Sequence, residues 1–221
     1  MIKKASYQGN PYIGIFSFCN NKIAISGYSK KFNKILEEIL KTDVIETTIA
    51  NGDLNGLYIT GNDDILLVPN IIEKHEYERL KKQLLNYQID VYLINERYNA
   101  LANNIVIGKN IILINPELKH QKKQLEDIFG LEVITCKIAN YKTIGSMIVI
   151  KDNGFVISYK ASDEELKNIE ELVKLKGKRV SVNFGSPFPR LGILNNKNGL
   201  VVGELTTGIE LANIMEGLNI Y

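Results

Sequence analysis

Apolar positions along this chain switch repeatedly between two periods. Five stretches carry them at helical spacing. The first follows Ser29, a residue type suited to an N-cap, and places Phe32, Ile35, Leu36, Ile39 and Leu40 on one face. The second runs near Glu73–Leu85 with Tyr77, Leu80 and Leu84. The third opens on Pro116-Glu117 and carries Leu118, Leu125, Ile128 and Phe129. Proline and an acidic residue both favour a helix start. The fourth opens Ser162-Asp163-Glu164-Glu165, a capping-box pattern, and buries Leu166, Ile169, Leu172 and Val173. The fifth follows Thr206-Thr207 with Leu211, Ile214, Met215 and Leu218.

Between these helices lie short β-type runs. Tyr12–Phe18 is one. Gly56–Thr60 precedes Ile65–Val68, Asn104–Ile107 precedes Ile111–Ile114, Ser146–Ile150 precedes Phe155–Ile157, and Leu191–Leu194 precedes Leu200–Val202. Turn signals separate the paired runs: Asn20-Asn21, Asn62-Asp63, Gly108-Lys109-Asn110, Asp152-Asn153-Gly154 and Asn198-Gly199. A small residue precedes the second strand of each unit: Gly14, Gly56, Ala102, Gly145 and Gly192. They are 42, 46, 43 and 47 residues apart, a period near 45. The pattern predicts an α/β chain of five strand-strand-strand-helix repeats, about 1–41, 42–87, 88–131, 132–178 and 179–221, in a single domain. No unit buries a sheet face and a helix face alone, so the five must pack together. A closed ring does this without polar end caps; an open solenoid is the alternative.

Charge and composition narrow the function. The 221 residues include 27 Lys and Arg against 25 Asp and Glu, a net charge of +2, which excludes a strongly basic nucleic-acid coat. The charge is uneven: residues 1–41 are +5 and residues 42–87 are −4. Lys3, Lys4, Lys22, Lys30, Lys31 and Lys34 make up most of the positive sector. They suit either RNA phosphate or a solvated outer helix face, and the second is favoured for Lys30, Lys31 and Lys34. Two cysteines, Cys19 and Cys136, are too few for a disulfide framework and suit a reducing cytosol. The N-terminus turns polar too early for a secretory signal, and the longest apolar runs fall far short of the ~20 residues that span a bilayer. A cytoplasmic protein is expected, with no metal or cofactor, since there is no CxxC, no His/Cys cluster, no P-loop and no GxGxxG.

Five strings, in order, resemble the translation initiation factor 6 family. They are Gly9–Phe16; Gly56 with Ile65-Leu66-Leu67-Val68-Pro69-Asn70; Asn95–Asn103; Pro116-Glu117-Leu118 with Thr143-Ile144-Gly145-Ser146; and Gly199–Leu211, which contains Thr206-Thr207-Gly208-Ile209-Glu210-Leu211. The resemblance runs nearly end to end. It implies the pentein fold, a five-fold pseudosymmetric α/β propeller, and a protein that is not an enzyme. It further implies a monomer that binds the large ribosomal subunit on its intersubunit face, near the sarcin–ricin loop and a neighbouring ribosomal protein, and blocks joining of the small subunit. A role in large-subunit maturation is also implied. The absence of a C-terminal extension past Ile220-Tyr221 suggests the archaeal type. Ala102 stands in place of a repeat glycine, Glu204 is offset from the family's acidic position, and the family is usually acidic where this chain is +2.

In a ring of repeats the loops before the second strands gather on one face. By matching position the resemblance marks four residues there as ribosome contacts: Leu57, Asn103, Met147 and Arg190. Asn103 both donates and accepts hydrogen bonds. Met147 offers an adaptable apolar contact, and Arg190, in the stiff Ser186–Arg190 loop, suits an anchor. The competing class is a pentein-fold enzyme that modifies guanidino groups with a cysteine nucleophile, which requires a thiolate beside a base. Cys19 and Cys136 fall on predicted strands, His75 and His120 fall near helix starts, and the last unit has neither residue type. A general RNA-binding module would interleave aromatic and basic residues. The densest basic stretch, Lys174–Arg179, instead suits a helix C-terminus.

Overall fold

The computed structural model describes residues 1–220; Tyr221, the last residue of the fifth predicted repeat, lies outside the described residues. Each repeat begins with a single helical turn. A short strand follows, then an antiparallel second strand, a longer helix and a parallel third strand. The chain opens on β1 (Ile2–Ala5). The first repeat then runs α1 (Ile13–Phe16), β2 (Ser17–Cys19), β3 (Ile23–Ser26), α2 (Lys30–Leu40) and β4 (Asp43–Glu46). The second is α3 (Asn55–Tyr58), β5 (Thr60–Gly61), β6 (Ile65–Pro69), α4 (Lys74–Leu85) and β7 (Asp90–Ile94). The third is α5 (Leu101–Asn104), β8 (Ile105–Ile107), β9 (Ile111–Ile114), a 3-10 helix (Pro116–Gln121) continuing into α6 (Lys122–Phe129), and β10 (Glu132–Thr135). The fourth is α7 (Ile144–Met147), β11 (Ile148–Lys151), β12 (Gly154–Ser158), α8 (Asp163–Val173) and β13 (Gly177–Val180). The fifth is a 3-10 turn (Pro189–Gly192), β14 (Ile193–Asn195), β15 (Leu200–Gly203) and α9 (Gly208–Gly217).

Five three-stranded sheets result among the described residues. Four take their third strand from just after their own helix. The fifth takes it from the other end of the chain. β1 runs parallel to β15, pairing Ile2 with Leu200 through Ala5 with Gly203. The third strand therefore follows the helix in the first four repeats, whereas the sequence pattern placed all three strands ahead of it.

The chain divides into two compact units. One holds Met1–Ala102 and Leu191–Glu204; the other holds Asn103–Arg190 and the stretch from Leu205 on. In the first, α4 sends Leu80 and Leu84 into a core built from the first and second sheets, with Ile23, Ile25, Ile45, Leu66 and Val68. Its α2 packs Phe32, Leu36 and Leu40 against Ala5, Leu194 and Val201 of the fifth sheet. In the second, α9 packs on β12 and β13 of the fourth sheet, and Phe155, Ile144, Ile148 and Ile169 form the core. In the first unit α2 and α4 thus each pack on the sheet of a neighbouring repeat as well as on their own. The close approach explains two glycines that the sequence marks only as turn residues. A Cβ on Gly199 would lie 2.2 Å from the Ile39 carbonyl oxygen, and one on Gly154 would lie 2.3 Å from that of Gly217.

Three asparagines join repeats within the first unit. The Oδ1 atoms of Asn20, Asn62 and Asn196 each accept two backbone N–H groups of their own turn. Asn196 also donates its amide to the carbonyls of Asn20 and Leu40, and Asn20 donates to that of Asn62. These amides find their acceptors in a different repeat, which fixes turn against turn. Lys22 adds an ion pair to Asp64 at 3.0 Å, so this lysine ties two repeats rather than standing in an open basic patch.

Deleting residues 1–5 removes the third strand of the fifth sheet. At about 0.5–1.5 kcal/mol per backbone hydrogen bond, the truncated protein should lose several kcal/mol of stability. Urea unfolding followed by circular dichroism checks this; a midpoint equal to that of the full chain would refute the stabilising role of β1.

Candidate functional site

The five positions marked by their small residues sit in helical turns, not in loops or strands. Ile13–Phe16, Asn55–Tyr58, Leu101–Asn104 and Ile144–Met147 are single α-turns, and Pro189–Gly192 is a 3-10 turn. In runs this short the apolar patterns of a strand and of one helical turn are the same, so Tyr12–Phe18 reads as one strand while only Ser17–Cys19 is.

Sheet register aligns the five turns. Ser17 faces Ser26, Ile105 faces Ile114, Ile148 faces Ile157, and Ile193 faces Val202. The pairing of Thr60 with Leu67, carried one residue back, sets Ile59 against Val68. Three residues before each of these first-strand positions stand Gly14, Gly56, Ala102, Gly145 and Arg190. Gly192 is therefore not the fifth member of the series: it ends its turn, and Arg190 holds the equivalent place. Gly192 has the small side chain that the repeat spacing suggests, but not the register. Packing around these turns is close. A Cβ on Gly56 would lie 2.2 Å from the Gly14 carbonyl oxygen and 2.4 Å from that of Ser17. Gly14, Gly56, Ala102, Gly145 and Gly192 are all buried, so they shape the site and do not present it.

The four candidate contacts differ in access. Leu57, third residue of α3, is half-buried. Asn103, third residue of α5, is half-buried, and its Oδ1 receives no hydrogen bond among the described residues. Its neighbour Asn104 is buried and committed to the fold. Asn115 donates its backbone N–H to the Asn104 carbonyl at 2.8 Å and its side-chain amide to Asn104 Oδ1 at 2.7 Å. Arg190 is half-buried between Pro189 and Leu191. Met147 is 0% exposed and packs with Val106, Ile111, Ile144 and Phe155. The expectation of Met147 as an adaptable surface contact is corrected: its side chain fills the core. Asn103, Met147 and Arg190 belong to one compact unit and Leu57 to the other.

What positions these turns is a recurring carboxylate. In three repeats the third residue of the outer helix is a glutamate that reaches back to a preceding turn with left-handed backbone. Glu76 accepts from Thr48 Oγ1 and from the N–H groups of Ala50, Asn51 and Glu73. Ala50 and Asn51 have φ of 53° and 59°. Glu165 accepts from Ala139 and Ser162 N–H. Glu210 accepts from Ser181 Oγ and from the N–H groups of Phe184, Gly185 and Thr207. Each glutamate also completes a capping box, the pattern visible in the sequence at Ser162-Glu165. Burial alone would push the Glu76 and Glu210 carboxyls up. Their hydrogen bonds, from Thr48 first for Glu76 and from Thr207 first for Glu210, outweigh it and hold both below the ordinary glutamate value. Ser29, expected to cap the first helix, occupies the N-cap position of α2 without a side-chain cap bond.

An apolar display around Glu210 escapes the sequence pattern. Phe184, Leu205 and Ile209 are 81%, 59% and 79% exposed. Each is a chain neighbour of a member of the Asn183–Thr206–Glu210 hydrogen-bond network. The available signal is a phenylalanine flanked by Asn183 and Gly185, three successive residues with positive φ.

The cysteines are not arranged as nucleophiles. Cys19 is buried, its thiol donating to the Asn195 carbonyl. Burial first, and the Glu165 carboxylate second, push the Cys136 thiol up to about 11, which keeps it protonated at neutral pH. His75 and His120 are exposed on the outer helices. No group of three or more His, Cys, Asp or Glu among the described residues is placed to hold a metal ion. No helix among them is long and apolar enough to cross a membrane.

The fold is shared with enzymes. A citrulline complex of a cysteine-to-serine mutant of the DDAH from Pseudomonas aeruginosa superposes with a TM-score of 0.51 at 12% identity, covering 94% of this chain and 74% of that one. A dimethylarginine dimethylaminohydrolase adduct with S-methyl-L-thiocitrulline gives 0.53 at 12%, covering 95% and 74%. The class is thus the pentein fold, and at this identity the likeness concerns fold alone. Within that class the chain belongs to the eIF-6 family, whose profile matches residues 2–217. It is 34% identical to the translation initiation factor 6 of Staphylothermus marinus over 99% of this chain and 97% of that one. It is 32% identical to that of Pyrococcus abyssi over 99% of both, and 33% identical to that of Picrophilus torridus over 99% and 100%.

Because Glu76 and Glu210 are held below the ordinary value, their stabilisation is present above about pH 4.5 and is lost as pH falls through their folded values. Glu76→Gln and Glu210→Gln should each cost about 2–3 kcal/mol at pH 7 and flatten the fall in stability below pH 4.5. Denaturant titrations at pH 3 to 7 measure both; a Gln variant with the wild-type acid slope would refute the assignment.

Proposed function

We propose that this chain binds the large ribosomal subunit on its intersubunit face and sterically prevents association with the small subunit, with a further part in large-subunit maturation. Family membership over nearly the whole chain is the observation that carries the reading, together with relatives that bear the name translation initiation factor 6. In this reading the protein is a cytoplasmic monomer, its five repeats acting as one domain, without enzymatic activity or cofactor. It contacts ribosomal protein and RNA near the sarcin–ricin loop. Asn103 and Arg190 are the principal contacts and Leu57 an auxiliary one. Phe184, Leu205 and Ile209 extend the apolar part of the surface.

The geometry supports occlusion in one further respect. The turns that carry Asn103 and Arg190 are short, and the turn preceding Arg190 is pinned by the Glu210 carboxylate. A surface fixed before binding loses little conformational freedom on docking, which lowers the cost of association.

Purified protein should co-sediment with isolated large subunits, not small ones, and reduce the yield of joined ribosomes when both are mixed. Asn103→Arg combined with Arg190→Glu should abolish co-sedimentation while its melting temperature stays within a few degrees of wild type. Wild-type binding by that double variant would refute the contact assignment, and no binding of the native chain to either subunit would refute the function. A steep loss of binding with salt would assign part of the affinity to RNA phosphate.

A further inference from the structure

The third strand of each sheet is an edge strand. The N–H and C=O of one strand residue point the same way, so the ladder bonds tell which residues face outward. Four of these edges are blunted. At β1 the outward positions include Lys4, which is exposed. At β4 the Glu46 carbonyl accepts from Arg79 at 3.1 Å. At β10 the Val133 N–H donates to the Glu126 carboxylate at 3.4 Å. At β13 the outward positions include Arg179, which pairs with Asp163 at 2.7 Å. Charges and side-chain bonds of this kind discourage the addition of a further strand.

The edge of β7 is different. This strand is the longest of the five. The Asp90 N–H and the Ile94 carbonyl bond toward β6, to the Asp64 carbonyl and the Asn70 N–H, so Val91 and Leu93 face outward. The Val91 carbonyl accepts from Tyr77 Oη at 3.2 Å. The N–H and carbonyl of Leu93 find no partner among the described residues, and Leu93 is 45% exposed. Register sets Leu93 beside Val68, on the sheet face that α4 covers with Leu80 and Leu84. A shelf therefore runs between the edge of β7 and the flank of α4, inside the first compact unit.

The shelf is basic. Lys81 Nζ stands 5.9 Å from the centre of the Tyr77 ring, and the exposed Lys74 shares that helix face one turn earlier. The nearby acids turn away: Asp90 stands on the opposite sheet face from Val91, and Glu78 lies about 100° round the helix from Tyr77.

We propose that the edge of β7 accepts an extended, acidic and apolar segment of a partner protein as a fourth strand of the second sheet. The backbone of that segment answers the Leu93 N–H and carbonyl, an apolar side chain lies against Leu93, and a carboxylate meets Lys81 or Lys74. A second copy of this chain fits less well, because a two-fold interface sets one patch against itself and would oppose these lysines to each other. The edge is separate from the turns assigned to the ribosome, and the inference does not rest on that assignment.

A fluorescein-labelled peptide, Glu-Glu-Val-Thr-Ile-Thr-Val-Glu-Glu with blocked ends, should bind the full chain saturably by fluorescence polarisation. The same peptide with lysine in place of glutamate should bind about tenfold more weakly, or worse. Hydrogen exchange followed by NMR should find the Leu93 N–H unprotected in the free chain and protected in the complex, with the Tyr92 N–H protected in both. Leu93→Lys should abolish binding, and Lys81→Glu should weaken it about tenfold. Both side chains are exposed, so both variants should melt near the wild-type temperature. No saturable binding, equal binding of the lysine peptide, or binding unchanged in both variants would overturn the proposal. A concentration-dependent dimer in sedimentation velocity, dissolved by Leu93→Lys, would overturn the partner assignment in favour of a second copy.

Discussion

A carboxylate three residues into an outer helix organises this molecule. Glu76, Glu165 and Glu210 each accept hydrogen bonds from a turn that the chain completed some 25 residues earlier. Those turns leave N–H groups pointing inward from left-handed backbone, and nothing in a sheet or a helix would satisfy them. The glutamate does so while also stabilising its own helix start. One side chain thus fixes the end of a sheet, the start of the next one-turn helix and the placement of the helix that covers both. Removing its charge loosens all three, which is why a residue far from any sheet centre matters to the surface that the turns present.

The two repeats that lack this glutamate are each tied together by other contacts. In the first, Phe32 occupies the third helical position. Tyr7 of the preceding turn stacks on Phe16 at 4.3 Å and meets Phe32 edge-on at 5.5 Å, while its hydroxyl donates to Asp53 at 2.8 Å. In the third, Asn115 caps a 3-10 helix and bonds to Asn104. Asn103 is thereby left as the half-buried member of the pair. Different chemistry around equivalent turns is what makes equivalent positions unequal as contacts.

Much of this is legible in the chain. The five outer helices, the period near 45 and the tight turns follow from spacing and capping residues alone, because each is a local property. The strand order does not. A parallel third strand pairs across its helix, so no local pattern marks which sheet it joins, and β1 pairs with a partner nearly the full chain away. At the candidate site, Gly56 stands out in the sequence, and a Cβ there would meet backbone. Gly192 passes for its equivalent because only register shows that Arg190 holds the place. Met147 carries a surface role by position, yet one helical turn rotates it into the core. Phe184 goes unmarked because a lone exposed phenylalanine has no periodicity. The bare edge of β7 shows only once the sheets are assembled, since no linear pattern tells which strand lies outermost.

The pairing of β1 with β15 has a consequence for how the protein is made. Ile2 leaves the ribosome first, but its partner Leu200 emerges only 198 residues later. At about 5–20 residues per second, the first strand waits roughly 10–40 s without a sheet to join. Through that interval Ile2 and Ala5 are open to wrong partners, and Lys3 and Lys4 between them act as charged gatekeepers against edge-to-edge association. A protein proposed to act on the ribosome would itself remain unfinished until nearly its whole chain had left one.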